Sequence, residues 1–449
     1  MSSGIRSRCS FVPASIATLA VALILTLAPE PRAQTDVPPA APIGTETILY
    51  NFGEDSGGNC DTFDDGAAPK GSLTYTPATG LLFGATSSTT SKGNGRGTLF
   101  QIAPDGTGYQ VDHFFAGGKD DGNGPRNSSM TLVGTVLYGT TLAGGPGYNG
   151  TIFSIIDDGT DYSSPPLFEF PATAPTNGGD QPYSTFALSP TTGVLYGMTA
   201  AGGKNTGPTK DGDGTLFSFD PTGNVYTRLH NFGNNGGAAP HGQPIIDINN
   251  NVTMYGMTGI GGMDNVGVVY SFDEKCSTTS TKCTKTYRQL HDFSCPNSNP
   301  PKCSDKNDGA MPDHGNLVQV GTTLYGLTTY GGKYGNGALF SISTKGKHFT
   351  ILQSFGQPSS NDGINPLGSL TLNGTTLYGT TEFGGNKNNG TVFQINTDGT
   401  GYTRVYDFQN GNDGVNPYDN VILLNNTLYG MTEAGGVCGE GTVFAIALP

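Results

Sequence analysis

One feature of the sequence constrains the fold more than any other: the chain repeats one unit seven times. Each copy carries Leu-Tyr-Gly or a close variant, with a threonine two residues past the glycine, and the copies recur every 51 to 70 residues. The tyrosine position of the seven copies is occupied by Phe83, Tyr138, Tyr196, Tyr255, Tyr325, Tyr378 and Tyr429. A period of this length indicates a repeat architecture such as a solenoid or a propeller.

Each copy also holds four short runs of β-branched and aromatic residues, which we name a, b, c and d. In the sixth copy they span residues 369–372, 376–381, 391–396 and 402–408, separated by Gly, Asn and Asp turns. Such runs favour strands, and the turns between them favour tight hairpins. Seven four-stranded antiparallel units predict an all-β fold, a seven-bladed β-propeller with strand a innermost.

The two ends of the repeat array predict how the ring closes. The array opens with a d-type run at residues 47–52 and ends with a c-type run at residues 442–448. The last blade therefore lacks its own strand d, and we expect the N-terminal strand to supply it. This places the propeller at residues 47–449, after a linker at residues 34–46.

The N-terminus predicts export. Arg6 and Arg8 precede an uncharged, mostly apolar run at residues 14–28, which suits a signal peptide of residues 1–33 cleaved after Ala33. An uncleaved anchor is the alternative. We expect a soluble periplasmic or extracellular monomer without a membrane span in the mature chain. Since 36 acidic residues outnumber 22 basic ones, the chain lacks the positive charge that nucleic-acid binding needs.

Export places the cysteines in an oxidising compartment, where they form disulfides. The loops that share a face of the propeller predict three bridges: Cys60–Cys438, Cys276–Cys283 and Cys295–Cys303. A zinc site is the alternative, but there is no CxxC and the cysteine spacings do not fit a zinc finger. We expect no metal and no cofactor.

The composite motif has the order Asp-Gly-x-x-Pro, Leu-Tyr-Gly-x-Thr-x-x-Gly-Gly and Gly-Thr-Val-Phe. It resembles the bacterial GloVer tandem repeat over nearly all of residues 47–449, and it is more loosely similar to kelch blades. The resemblance implies an exported protein of repeat architecture and supplies no catalytic residues to carry over. The first copy departs from the pattern because it lacks the Gly-Gly pair.

The loop between strands d and a carries an acidic residue in five copies: Asp65, Asp121, Asp308, Asp362 and Asp413. We interpret these residues as turn formers, because aspartate accepts hydrogen bonds from nearby backbone and the following glycine adopts positive φ. Calcium binding is the less favoured alternative. Calcium needs six to eight converging oxygens, whereas these carboxylates lie on separate blades.

The residue after the loop proline varies from blade to blade within an otherwise fixed frame. The series is Lys70, Arg126, Tyr183, His241, Asp313, Leu367 and Tyr418, extended by His314 and Asp419. These residues begin the innermost strand, so their side chains are predicted to surround the mouth of the central channel. The polar members of the series are our candidate ligand-binding residues, suited to a polar ligand such as an acidic sugar or a peptide carboxylate.

The sequence therefore predicts a binding or interaction module for a glycan, protein or peptide ligand. The alternative is a polysaccharide lyase or hydrolase in which His241 or His314 is the base and Tyr183 or Tyr418 the acid. An enzyme is less favoured because the chain has no Gly-x-Ser-x-Gly elbow, no His-Glu-x-x-His and no Walker loop. A structural envelope or matrix protein without a site is the third interpretation.

Overall fold

The computed structural model describes most of the repeat array, and every described residue lies in the unit Pro31–Pro449. The described residues are 42–54, 58–60, 65–89, 95–126, 129–171, 178–183, 185–203, 212–233, 236–249, 253–276, 283–295, 308–312, 314–358, 361–409 and 411–449. They contain strands and turns but no α-helix. Consequently none of these residues forms a helix long and apolar enough to cross a membrane.

The strands are short and follow the sequence repeat. They are β1 (Thr45–Asn51), β2 (Thr74–Thr76), β3 (Leu81–Thr86), β4 (Thr98–Ile102), β5 (Gln110–Phe114), β6 (Gly122–Asn123), β7 (Thr131–Val133), β8 (Val136–Thr141), β9 (Ala143–Gly144), β10 (Thr151–Ile156), β11 (Phe168–Glu169), β12 (Ala187–Leu188), β13 (Leu195–Thr199), β14 (Thr215–Asp220), β15 (Val225–Asn231), β16 (Ile245–Ile246), β17 (Thr253–Thr258), β18 (Val268–Cys276), β19 (Cys283–Asp292), β20 (Gly309–Ala310), β21 (Val318–Val320), β22 (Thr323–Thr328), β23 (Tyr330–Gly331), β24 (Ala338–Ser343), β25 (Thr350–Ser354), β26 (Gly363–Ile364), β27 (Thr371–Asn373), β28 (Thr376–Thr381), β29 (Phe383–Gly384), β30 (Thr391–Asn396), β31 (Thr403–Asp407), β32 (Gly414–Pro417), β33 (Ile422–Leu424), β34 (Thr427–Gly435) and β35 (Thr442–Ala447).

Seven antiparallel sheets of four strands form the blades. Blades 1 to 6 run β2-β3-β4-β5, β7-β8-β10-β11, β12 to β15, β16 to β19, β21-β22-β24-β25 and β27-β28-β30-β31. The short pairs β6-β9, β20-β23 and β26-β29 join the loop before strand a to the loop after strand b. The prediction of a seven-bladed β-propeller is confirmed.

The ring closes through the N-terminal strand, as expected. Strand β1 pairs antiparallel with β35, from Thr45 opposite Ala447 to Asn51 opposite Thr442, and so supplies strand d of blade 7. The strand begins at Thr45, two residues before the predicted boundary. The Cys60–Cys438 disulfide joins the same two ends of the chain, with the Cα atoms 5.4 Å apart.

The other predicted disulfides are described in part. Cys283 and Cys295 are both disulfide-bonded. The backbone places Cys276 directly opposite Cys283 in the β18–β19 register, which is the position that a Cys276–Cys283 bridge requires. The side chain of Cys276 and the whole of Cys303 lie outside the described residues, so these two pairings stay predictions.

The recurring motif residues pack the interior of each blade. The Leu-Tyr-Gly glycine lies opposite the aromatic residue of Gly-Thr-Val-Phe: a Cβ on Gly84 would lie 2.3 Å from Phe100, and a Cβ on Gly379 would lie 2.5 Å from Phe393. Any larger residue would displace the ring. The recurring threonines bond between strands b and c, as Thr86 does with Thr98 at 2.9 Å between hydroxyl oxygens. The motif thus encodes blade packing.

An outer layer of aromatic rings joins neighbouring blades. A ring on strand d of one blade stacks on a ring that lies in, or shortly before, strand d of the next blade. The stacked pairs are Tyr50–Tyr109, His113–Tyr162, Phe168–Tyr226, His230–Tyr287 and His291–Phe349, with centroids 3.5 to 4.4 Å apart. These contacts lie far from the channel, since strand d is the outermost strand of each blade.

The loop aspartates belong to the same layer, and they accept hydrogen bonds from the loop backbone as predicted. The expectation that the following glycine adopts positive φ holds at Gly66 but is wrong in the other four copies. There the glycine begins a short strand, and a Cβ would lie 2.4 to 2.5 Å from the recurring threonine: Gly122, Gly309, Gly363 and Gly414. Asp121 accepts hydrogen bonds from the backbone N–H groups of Ala116 and Gly122, both at 2.7 Å. It also accepts one from the Tyr162 hydroxyl of the next blade at 2.8 Å. Burial raises the pKa of Asp121, but these bonds and the contact with His113 outweigh it and leave the pKa below its ordinary value.

Candidate functional site

The frame that presents the candidate residues is nearly identical in all seven blades. The residue before the loop proline has a left-handed φ in every copy: Ala68 (50°), Gly124 (63°), Gln181 (55°), Ala239 (48°), Met311 (52°), Asn365 (55°) and Asn416 (58°). Few residues with a side chain adopt this conformation, so its recurrence shows that the frame imposes it. Each following side chain is therefore presented in the same place on its blade.

The proline itself packs against the preceding blade. A Cβ on the first glycine of Gly-Thr-Val-Phe would lie 2.4 to 2.9 Å from the next proline Cδ, for example at Gly390 and Pro417 or Gly97 and Pro125. The same contact joins Gly441 of blade 7 to Pro69 of blade 1, so the frame continues across the closure of the ring. These glycines also have φ between 92° and 107°, which favours glycine.

Four aromatic side chains from four blades meet at the channel mouth. The ring centroids of Tyr183 and His241 are 4.7 Å apart, and those of His241 and His314 are 4.9 Å apart with planes inclined by 13°. His314 continues to Tyr418, with centroids 5.6 Å apart. The Tyr418 hydroxyl lies 3.3 Å from the Nε2 atom of His314. The rings form one continuous partly accessible wall.

Lys70 connects this wall to an acidic neighbour. Its Nζ atom lies 5.1 Å from the centroid of the Tyr418 ring and 2.7 Å from the Oε1 atom of Glu433. Both side chains of the ion pair are about a quarter exposed or less, at 22% and 26%. Lys70 belongs to blade 1 and Glu433 to blade 7, so this contact also spans the closure.

Two carboxyl groups of the mouth are hard to ionise. Burial raises the pKa of Glu382 to about 7; the charge of Glu433 adds to the effect and Lys70 opposes it. Burial also raises the pKa of Asp419 to about 6, against hydrogen bonds that include those from the Asn420 backbone and the Ser72 side chain. Glu382 therefore interacts electrostatically with both members of the Lys70–Glu433 ion pair.

A polar belt of side chains lines the channel beside the mouth. Asn316 accepts a hydrogen bond from the Gln243 backbone and donates its own backbone N–H to Ser369 Oγ at 2.9 Å. Ser72 bonds to Asn420 across the closure and to Ser129 at 3.1 Å. These belt residues form part of the lining of a cavity of about 480 Å³, whose apolar lining includes Leu188, Ile422 and Leu424.

Two other residues of the predicted series are not part of the chain of ring contacts. Arg126 is exposed. Leu367 is buried, with 7% of its surface exposed. Asp313 lies outside the described residues. The mouth is therefore asymmetric, with its aromatic wall on blades 3, 4, 5 and 7.

Comparison with known proteins identifies the repeat. The profile described as the Gloeobacter/Verrucomicrobia repeat matches residues 205–371 and 312–449, which together span more than half of the chain. The chain belongs to the Gloeobacter/Verrucomicrobia repeat family. This is the family that the sequence motif resembles. No curated protein is significantly similar to this chain.

Solved structures are similar to this Gloeobacter/Verrucomicrobia repeat protein in fold. An oligogalacturonate lyase from Vibrio parahaemolyticus matches at 10% identity with a TM-score of 0.51, over 92% of this chain and 99% of the lyase. A puromycin-hydrolysing peptidase of Mycobacterium tuberculosis matches at 10% identity with a TM-score of 0.47, over 88% of this chain and 53% of the peptidase. TolB from Acinetobacter baumannii matches at 11% identity with a TM-score of 0.36, over 75% of this chain and 63% of TolB. The lyase match supports the propeller fold.

The sequence analysis missed Glu382 and Glu433, although a signal for them exists. Both follow the recurring threonine of the repeat, where the other copies have Ser87, Leu142, Ala200, Gly259 and Thr329. In the structure this position is adjacent to the mouth, because its N–H donates to the carbonyl of the residue before the loop proline, as Glu382 does to Asn365 at 3.0 Å. It is therefore a second variable position in the fixed frame of the Gloeobacter/Verrucomicrobia repeat.

Proposed function

We propose that this protein is an exported β-propeller binding module whose ligand enters the channel mouth. One observation carries the proposal: the residues at the variable positions of blades 1, 3, 4, 5 and 7 lie in a continuous chain of contacts. Tyr183, His241, His314, Tyr418 and Lys70 are separated by long stretches of sequence, yet each contacts the next around the mouth. Packing of the repeat does not require these residue types, because the blades share their recurring glycine, threonine and aromatic positions while these residues differ from blade to blade.

A glycan is the ligand that the wall suits best. Aromatic faces stack against the apolar faces of sugar rings, and four partly accessible rings at one concave mouth offer several such faces. Asp419, Glu433 and the belt amides supply hydrogen-bond acceptors and donors beside them. The Cys60–Cys438 disulfide supports export, since structural disulfides persist in oxidising compartments.

A second candidate is a polysaccharide-active enzyme at the same mouth. It is favoured by the 3.3 Å contact between the Tyr418 hydroxyl and His314 Nε2, which is near the reach required of an acid and base pair. The oligogalacturonate lyase of similar fold acts on a polysaccharide fragment, but at 10% identity its chemistry is not transferred to this chain. Binding without turnover is our primary proposal.

One experiment separates the two candidates. The purified protein is incubated with a panel of neutral, acidic and amino polysaccharides, and both retention and released oligosaccharide are measured. Retention without product supports the binding module. Product that disappears in the His241→Ala and His314→Ala double variant supports the enzyme. Retention that survives Tyr183→Ala and Tyr418→Ala would contradict the mouth as the site, with the exposed His348→Ala as matched control.

A further inference from the structure

The charge of the mouth points to the class of its ligand, an inference that depends on the proposed function. Among the described residues, one ammonium group, that of Lys70, lies close to two carboxyl groups, those of Glu382 and Glu433. Lys70 is paired with Glu433 at 2.7 Å. Glu382 therefore gives this part of the mouth a negative balance when it is ionised.

Lys70 shows how an ammonium is held at this position. Its Nζ atom lies over the face of Tyr418, and the ammonium group also forms an ion pair with the Glu433 carboxylate. An aromatic face with a carboxylate beside it is the arrangement that recognises organic cations, because the ring quadrupole and the carboxylate attract the same charge. The chain thus occupies its own cation position with a flexible side chain.

The buried carboxyl group beside Lys70 and Glu433 makes a second cation favourable. Burial raises the pKa of Glu382 to about 7, because it penalises the charged form. A cation that enters beside Glu382 offsets this penalty. An acidic sugar or a peptide carboxylate would instead add a like charge. The balance therefore opposes the acidic ligand that the sequence analysis expected.

We propose that the channel mouth binds glycans that contain amino sugars. The ligand's ammonium lies between the Tyr418 face and the carboxyl groups of Glu382 and Glu433, in competition with the Lys70 ammonium. Its sugar rings stack along Tyr183, His241 and His314. An amino sugar combines the two features that the mouth offers, an acceptor for a cation and a wall of rings for pyranose faces.

Calorimetric titration with four probes tests this proposal: a trilysine peptide and the tetramers of glucosamine, of N-acetylglucosamine and of galacturonic acid, at pH 7 and low salt. We expect the glucosamine tetramer to bind about tenfold or more tightly than the N-acetylated one, since acetylation removes the charge. Glu382→Gln with Glu433→Gln should remove most of this preference. Asp120→Asn, an exposed carboxylate on the same face, is the matched control and should change nothing.

The Lys70→Met variant is expected to strengthen ligand binding, whereas the carboxyl variants are expected to weaken it. Removal of the competing ammonium should tighten binding of the glucosamine tetramer by about three- to tenfold. If Lys70 instead held an acidic ligand, the same variant would lose binding. This variant also keeps the proposal testable if the carboxyl variants fail to fold, as judged from their thermal unfolding.

The possible failures are distinguishable. Tighter binding of the galacturonic acid tetramer, lost in Lys70→Met and in Tyr183→Ala, would overturn the amino-sugar inference and leave the proposed function standing. Equal binding of the glucosamine and N-acetylglucosamine tetramers would do the same. If a trilysine peptide bound more tightly than the glucosamine tetramer, the ligand would carry an ammonium group but would not be a glycan. No binding of any tetramer would contradict both proposals.

Discussion

Histidine and tyrosine serve different purposes in two regions of this propeller. In the outer layer, His113, His230 and His291 each stack on a ring of the next blade, with centroids 3.5 to 4.4 Å apart. At the channel mouth, His241 and His314 stack on each other, and both side chains are partly accessible. The outer pairs recur from blade to blade, whereas the mouth pair occurs once.

The difference shows how a repeat protein separates packing from function. Positions that stack on the next blade meet the same geometry in successive copies, so they stay aromatic even where histidine, tyrosine and phenylalanine replace one another. Positions at the mouth contact the channel, and the frame does not restrict them. Variation within a fixed frame is therefore the signal of a site, and repetition is the signal of packing.

The largest effect is expected in the blade core. Phe217 is fully buried among Phe170, Phe186 and Tyr226. Phe217→Ala should lower the free energy of unfolding by about 3–5 kcal/mol, because it leaves a cavity. Phe114→Ala is the matched control, since Phe114 is 44% exposed, and should change it little. Chemical denaturation measures both; equal losses would contradict the packing described.

Two adjacent aspartates test the packing role assigned to the outer layer. Asp121→Ala should lower the free energy of unfolding by about 2–4 kcal/mol, since it leaves buried N–H groups and the Tyr162 hydroxyl without their acceptor. Asp120→Ala should have almost no effect, because the side chain of Asp120 is 78% exposed. A large effect of Asp120→Ala, or none of Asp121→Ala, would contradict the assigned role.

The closing strand should respond to pH. Burial, and then the charge of Asp413, raise the pKa of Glu46 to about 8, while Tyr406 bonds to both carboxyl groups. The folded protein therefore keeps a proton on Glu46 that the unfolded chain releases near pH 4.5. Stability should fall as pH rises from about 4.5 to 8, by about 1–3 kcal/mol.

Glu46→Gln tests this directly, because glutamine cannot ionise. Its free energy of unfolding should exceed that of the wild type at pH 8, and the two should converge towards pH 4.5. Denaturation at five pH values measures the difference. A constant difference across this range would show that Glu46 does not carry the dependence.

The smallest effect on stability is expected at the mouth. Tyr183→Ala and His241→Ala should each change the free energy of unfolding by less than about 1 kcal/mol, since their side chains are partly accessible and lie outside the blade core. The same variants should lose glycan retention. A large loss of stability in either variant would show that the mouth rings pack the blades, and it would contradict the distinction between the two regions.

The sequence predicted the repeating part of the molecule well. The blade count, the closure by β1, the Cys60–Cys438 bridge and the role of the loop aspartates all follow from motif positions that recur. The aromatic wall was also predicted as a set of residues. Its internal contacts were not, because the distance between two blades at the channel depends on how the whole ring curves.

Two features of the structure were not predicted from the sequence, and the reason is the same for both. The Lys70–Glu433 ion pair joins the first and last blades, which are adjacent only after the ring closes. The outer ring stacks pair residues of successive copies whose separation differs with loop length, so the motif alignment does not show them. Both are properties of neighbouring blades, whereas the sequence motif describes a single blade.

The central claim is that the variable positions form the ligand site while the repeated positions pack the blades. Hydrogen–deuterium exchange with the saccharide that the panel retains best tests it most directly. We predict protection at residues 69–72, 239–243, 314–318 and 417–421 on binding, with no change in β5, β15, β19 or β31. Protection confined to these outer strands, with none at the mouth, would contradict the account.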